Sequence, residues 1–311
     1  MVEYHVPVML EECMEGLDVN PNGIYVDVTF GGGGHSKAIL DRLDKGKLIA
    51  FDQDADAVAN APKHPNLIFV HHNFKYLRYF LRYHEIETVD GILADLGVSS
   101  HHFDDSSRGF SFRFDSNLDM RMNQSKAFTA AHLLNEYSKE NITAVLRNWG
   151  EVDKAWQIAE AIIQRREQKP LKTTGDLLSV VEPIVPERFR NKSLAKIYQA
   201  LRIEVNGEMD ALQDLLTQSA QVLSPHGRIV IMTYHSLEDR LVKNFFRSGN
   251  FSGKLEKDFF GNIIAPFELV NRKIIVPTDE EIERNVRARS AKLRIAKRTV
   301  YGTEINTDAG V

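Results

Sequence analysis

Three aspartates at the ends of strand-like runs are the residues whose type and spacing could do chemistry. Asp27 lies in IYVDVTF (24–30), Asp52 ends KLIAFD (47–52), and Asp95 lies in VDGILADLG (89–97). Four glycines follow the first run in FGGGGHS (30–36), so Gly31, Gly33 and Gly34 sit where the chain turns from strand into helix. A glycine turn opening a helix lets the backbone approach a ligand closely, because no Cβ intervenes. Carboxylates at the carboxyl ends of parallel strands would share the crevice in which open α/β sheets bind their ligands. The pattern reads as a cofactor site.

Which cofactor follows from the charges. A phosphate-cradling P-loop needs a Lys followed by Ser or Thr after the glycines, and none is present. The dinucleotide fingerprint G-x-G-x-x-G is met at Gly31 and Gly33 but finds Ser36 in place of the third glycine. Asp52 ends the second run and is positioned to accept hydrogen bonds from ribose hydroxyls, which a dinucleotide and S-adenosylmethionine both carry. Asp27 is expected to face the ligand across the turn. At an effective dielectric near 20, a unit-charge contact at about 4 Å amounts to roughly 4 kcal/mol before desolvation. That repels a pyrophosphate and favours the sulfonium and ammonium of S-adenosylmethionine. His102 and Phe74 are placed to touch the adenine or the sugar. A nicotinamide-dependent oxidoreductase is the rival on the same fold.

The elements that must hold these groups are legible in the apolar periodicity. The chain has 311 residues, 43 % hydrophobic and 26 % charged, with net charge −4. Runs at 24–30, 47–52, 67–72 and 89–97 alternate with amphipathic stretches, which predicts βα units and a mostly parallel sheet. The next strand is expected only at RIVIMTYH (228–235). Helical spacing between, as in AWQIAEAIIQRR (155–166), predicts an inserted α-helical domain. The expected division is a discontinuous core of 1–112 and 206–311, with the insert at 113–205. Cys13 is single, which excludes internal disulfides and points to the cytoplasm. No apolar run is long enough to cross a bilayer. The adjacent pairs His71-His72 and His101-His102 point to opposite faces of an extended chain, so no metal is expected.

Two basic segments suggest a polyanionic partner. From Arg284 to Arg298 there are seven Lys or Arg and no acid. Thr278 and Glu281 form a capping-box pattern, and a continuing helix would bring Arg284, Arg287, Arg294 and Arg298 near one face. Such a run is either a solvated face or a phosphate-contacting element. In RGFSFRF (108–114), Arg108 and Arg113 interleave with Phe110, Phe112 and Phe114. This is either an RNA-contacting lid over the cofactor or a hydrophobic loop closing the core between the domains.

Taken in order, HVPVM (5–9), DVTFGGGGHS (27–36), FDQDADA (51–57), DLGVSS (95–100), RGFSF (108–112), LDMRM (118–122), QALRIEVNGE (199–208), HSLEDRLVK (235–243) and NVRARSAKLR (285–294) resemble the ribosomal RNA small subunit methyltransferase H family, also called MraW. The resemblance implies a class I, Rossmann-like methyltransferase core with an inserted helical domain. It implies methyl transfer from S-adenosylmethionine to the exocyclic N4 of a cytidine in the decoding region of 16S rRNA, on the small ribosomal subunit. Carried onto matching positions, it implies cofactor contacts from Gly33, Gly34, His35, Asp52, Phe74, Asp95 and the position of His102. Two pairs depart from the commoner family pattern: His101-His102 stands for Pro-Gln, and Thr233-Tyr234 for Ser-Phe. The N4 lone pair is delocalised into the ring, so attack on the methyl requires the amine to shed a proton. Asp95 is the candidate acceptor, or else binds only cofactor; Tyr234 and His235 are further candidates. A noncatalytic ribosome-binding factor on the same scaffold is the second rival, and a homodimer is left open.

Overall fold

The computed structural model describes residues 7–97, 107–271 and 273–300. Contacts divide the chain into two compact units, Met1–Gly97 with Asp210–Val311, and Val98–Met209.

The first unit is a seven-stranded sheet in the order β3-β2-β1-β4-β5-β7-β6. Its strands are β1 (Ile24–Asp27), β2 (Lys47–Asp52), β3 (Leu67–His71), β4 (Val89–Asp95), β5 (Leu223–Thr233), β6 (Phe267–Leu269) and β7 (Lys292–Arg298). The first five are parallel, while β7 runs antiparallel to both β5 and β6. Val26 pairs with Ile49 on one side and Ile92 on the other, and Leu93 with Val230, all without accessible surface. Strands buried on both faces read as continuous apolar runs, which is why they stand out in the sequence. Helices α1 (Leu10–Leu17), α2 (Gly34–Leu40), α3 (Ala55–Asn60) and α4 (Leu77–Tyr83) belong to the βα units. Strand order reverses between β1 and β4, so the switch point lies at the carboxyl ends of those two strands, where Asp27 and Asp95 stand.

The second unit is helical: α5 (Ala130–Glu136), α6 (Lys139–Gly150), α7 (Ala155–Gln168), α8 (Thr174–Val181) and α9 (Arg190–Asn206). Leu133, Ile142, Leu146, Ile158, Ile197 and Leu201 fill its core, each at the helical interval the sequence displays. The unit starts ahead of the RGFSFRF segment rather than at residue 113, because Phe110, Leu118 and Met120 pack into this same helical core. Asn206 ties the far end of α9 to LDMRM, accepting from the Met122 N–H at 2.7 Å and donating to the Met120 carbonyl at 2.8 Å. Chain then returns to the first unit through α10 (Glu208–Val222), β5 and α11 (Ser236–Ser248). β5 begins at Leu223, earlier than the run at 228–235 suggests, and ends at Thr233.

The basic run is not one helix. Thr278 does cap α12 (Asp279–Arg284), its hydroxyl accepting from the Glu281 N–H. Asn285 then leaves helical geometry (φ −137°, ψ 90°), and its side chain accepts from the Arg287 N–H to start a short 3-10 turn. The remainder is β7. Leu293 and Ile295 alternate with more exposed neighbours at a period of two, and pairing with β5 satisfies their backbone. The predicted single face of Arg284, Arg287, Arg294 and Arg298 therefore does not form. Among the described residues, no helix is long and apolar enough to cross a membrane.

Candidate active site

The acids at the switch point do different jobs. Asp27 has no accessible surface. Its Oδ2 accepts from the Ser36 hydroxyl at 2.7 Å and its Oδ1 from the Thr29 N–H at 3.0 Å. It does not face a ligand across the turn, as its position suggested, but lies beneath the turn and fixes it. Burial pushes its carboxyl upward, opposed by the Ser36 and Thr29 bonds and by His35. Ser36, where a dinucleotide fingerprint would have glycine, is Asp27's partner.

The glycines above it have distinct reasons. Gly33 has φ +78°, and a Cβ there would lie 2.7 Å from the Phe30 ring. At Gly31 (φ +52°) a Cβ would meet only the Thr29 carbonyl, at 4.0 Å, so the turn is open to a ligand at that point. The Gly31 N–H donates to Asp52 Oδ2 at 2.8 Å, and the Asp54 N–H to Asp52 Oδ1 at 2.9 Å. The Asp52 carboxylate is thereby aimed from the end of β2. Phe74, half-buried, opens a short 3-10 turn after β3. Asn73 beside it donates to Gln53 Oε1 at 2.9 Å, joining the loop after β3 to the loop after β2. His102 lies outside the described residues.

Asp95, ending β4, is the centre of the cluster. Its N–H donates to the Thr29 hydroxyl at 2.7 Å, its Oδ1 accepts from the Tyr234 hydroxyl at 2.8 Å, and His35 Nδ1 stands 3.8 Å from its Oδ2. His35 is itself held, with Nε2 3.0 Å from the Val8 carbonyl. About 25 % of the Asp95 side chain remains accessible. Enough protein surrounds it that burial, aided by Asp27 and Glu238, pushes its pKa up to about 6 against the pull of His35 and Tyr234. Burial and the Asp95 charge push the Tyr234 phenol well upward too. Cys13, fully buried, has its thiol pushed up by the same surroundings and is no thiolate nucleophile.

His235 is occupied differently from the acceptor role considered for it. It is the N-cap of α11, its Nδ1 accepting from the Glu238 N–H, while Glu238 Oε2 accepts from the Tyr234 and His235 N–H groups. This reciprocal cap explains the H-x-x-E spacing. Thr29 was not singled out by sequence, yet it links Asp27 to Asp95; its only signal is the D-x-T spacing of a local side-chain turn.

The residues expected at RNA divide as well. Arg108 is buried, donating to the carbonyls of Arg121 and Met122 at 2.7 and 3.1 Å, and Phe110 is 5 % exposed in the helical core. Phe112 stacks edge-on against Tyr198 with ring centroids 5.4 Å apart. Arg113 is exposed, as are Arg284 and Arg287. Arg294 pairs with Asp239 at 2.8 Å and is mostly covered. Burial reassigns Arg108 and Phe110 from surface contact to packing, and the ion pair does the same for Arg294.

An open, mostly parallel sheet of this order, with an antiparallel final pair and acids gathered at its switch point, defines a Rossmann-like α/β core. The chain belongs to the MraW methylase family, whose model matches residues 3–299. It is similar to ribosomal RNA small subunit methyltransferase H of Parabacteroides distasonis, 58 % identical over 297 residues covering 95 % of this chain and 97 % of that protein. Proteins of the same name from Bacteroides thetaiotaomicron and Flavobacterium johnsoniae are each 54 % identical. Those alignments cover 95 % and 96 % of this chain and 97 % and 98 % of theirs.

Proposed function

We propose that this chain transfers a methyl group from S-adenosylmethionine to the exocyclic N4 of a cytidine in the decoding region of 16S rRNA, on the small ribosomal subunit. The observation that carries the reading is Asp95: a partly accessible carboxylate at the switch point, with its pKa pushed up to about 6, in a chain of a methylase family. The names of the relatives, ribosomal RNA small subunit methyltransferase H, support the acceptor class.

The residues present fit the cofactor. Asp52 places a carboxylate beside the glycine turn where ribose hydroxyls would lie, the open backbone at Gly31 admits close approach, and Phe74 supplies an aromatic surface. Gly33 and Gly34 shape the turn, and His35 fixes the first residues of α2 against Val8. Carboxylates rather than Lys or Arg suit a cationic donor over a pyrophosphate, which also speaks against a nicotinamide dinucleotide. When bound, S-adenosylmethionine supplies a methyl carbon made electrophilic by its sulfonium sulfur. Asp95 accepts the proton that N4 sheds; a carboxylate near pKa 6 is ionised at neutral pH and close enough to it to work as a general base. Of the cations the sequence nominated, Arg113, Arg284 and Arg287 stay exposed and would meet phosphates.

The test is to incubate the protein with isotopically labelled S-adenosylmethionine and either free 16S rRNA or assembled small subunits, then locate the label by nuclease digestion and mass spectrometry. N4-methylcytidine at one decoding-region position is expected; label on another atom, or none on either substrate, removes the reading. In parallel, Asp95→Asn should retain cofactor affinity within a few fold while single-turnover transfer falls by roughly 10²–10⁴. Unchanged turnover at saturating cofactor would take Asp95 out of the chemistry.

A further inference from the structure

We propose that Tyr234 is a positioning residue for the proton acceptor: its phenol fixes the Asp95 carboxylate in orientation and favours its ionised form. The proposal rests on the reading of Asp95 given above.

The bond joins the residue just beyond β5 to the last residue of β4, the Tyr234 hydroxyl donating to Asp95 Oδ1 at 2.8 Å. Both ends are restrained. The Tyr234 N–H donates to Glu238 Oε2 at 2.9 Å, and the ring packs against the core beside α1 and the sheet. Gly97 follows the ring so closely that a Cβ there would stand 3.4 Å from Tyr234 Cδ2. The Asp95 backbone is anchored through the Thr29 hydroxyl. With the backbone anchored and one oxygen bonded to the phenol, the carboxylate stands with Oδ1 toward Tyr234 and Oδ2 on the side of His35.

The charged and titratable groups around Asp95 come from every element packed there. Cys13 faces it from α1, Asp27 from β1, His35 from α2, Tyr234 from the end of β5 and Glu238 from α11. Asp27 and Glu238 oppose ionisation of Asp95, and Cys13 stays a neutral thiol. His35 and Tyr234 favour it, His35 across 3.8 Å and Tyr234 by direct hydrogen bond. A donor to the charged form of an acid lowers its pKa. The phenol, pushed well above its usual range, keeps its proton throughout and remains a donor. In the reaction the proton from N4 passes to Asp95 Oδ2 and then to water, and Tyr234 gains and loses nothing.

The experiment follows the Asp95 carboxyl carbon by NMR in cofactor-free protein labelled with 13C-aspartate, the resonance assigned by its absence in Asp95→Asn. Tyr234→Phe removes one oxygen, and the titration midpoint should rise by about one pH unit. The acid limb of kcat/KM for methyl transfer should rise in parallel. Incorporating 3-fluorotyrosine at position 234, a stronger donor, should move both the other way. Equal midpoints in the wild type and Tyr234→Phe overturn the proposal. A shifted midpoint with an unmoved acid limb keeps the bond but overturns Asp95 as acceptor, and with it the catalytic sense of the positioning.

Discussion

Replacing Asp95 by Asn should remove a charge penalty that the wild-type fold carries at neutral pH and loses in acid. The wild-type carboxyl titrates at about 6 in the folded protein and near 3.8 when unfolded. Because its folded pKa is the higher one, the native state binds more protons between those values, and stability falls as pH rises through the window. The difference, 6 − 3.8 ≈ 2.2, corresponds to about 3 kcal/mol at about 1.4 kcal/mol for each tenfold step. Asn keeps an oxygen that can accept from Tyr234 but has no charge to desolvate, so this pH dependence is absent from the variant. Changes in packing caused by the substitution add a constant that cancels between two pH values. Urea denaturation of both proteins at pH 4 and pH 7.5 measures most of the quantity, because at pH 4 part of the unfolded-state carboxyl is already ionised: the variant's advantage should grow by roughly 2 kcal/mol between them. An advantage that stays constant within error across that range would refute the claim that ionised Asp95 is held at a cost to the fold. The cost is the expected mark of a carboxylate kept in place for chemistry rather than for stability.

The remaining predictions concern the cofactor turn and the surface. Asp52→Asn should weaken S-adenosylmethionine binding roughly ten- to hundredfold by calorimetry, because a charge-assisted acceptor for the ribose is lost; an unchanged Kd would remove Asp52 from the cofactor site. Gly33→Ala forces a side chain into φ +78° and against Phe30, so it should cost about 1–3 kcal/mol in denaturant unfolding. A wild-type midpoint would mean the turn has another conformation. Arg113→Ala should weaken rRNA binding and reduce the slope of log affinity against log salt by about one, whereas Arg294→Ala, already paired with Asp239, should leave that slope unchanged. The opposite assignment of the two slopes would restore the basic run as the RNA contact.

Most of the parallel sheet could be read directly from the chain, because strands buried on both faces must be rich in apolar residues, as the cores of β1, β2 and β4 are. The helical unit was equally visible in its three- and four-residue spacing. Where the reading failed, the deciding term was nonlocal. Composition shows seven basic residues in a row of fifteen, but only the vacant edge of β5 makes Lys292–Arg298 a strand and sets Arg294 against Asp239. Arg108 and Phe110 look like an RNA-binding pair until the helical core takes them in.

The same division holds within the site. Sequence by itself determined that acids end three strands, that glycines open the first helix, and therefore that a ligand crevice exists at the switch point. It could not tell the three acids apart, since a carboxylate's role depends on which donors reach it and how much water remains. Tertiary structure decided that: Ser36 and Thr29 consume Asp27 beneath the turn, Gly31 orients Asp52, and Tyr234, arriving from 139 residues away, completes the environment of Asp95. Hydrogen bonds between residues so distant in the chain exist only after the sheet has formed, and periodicity carries no trace of them.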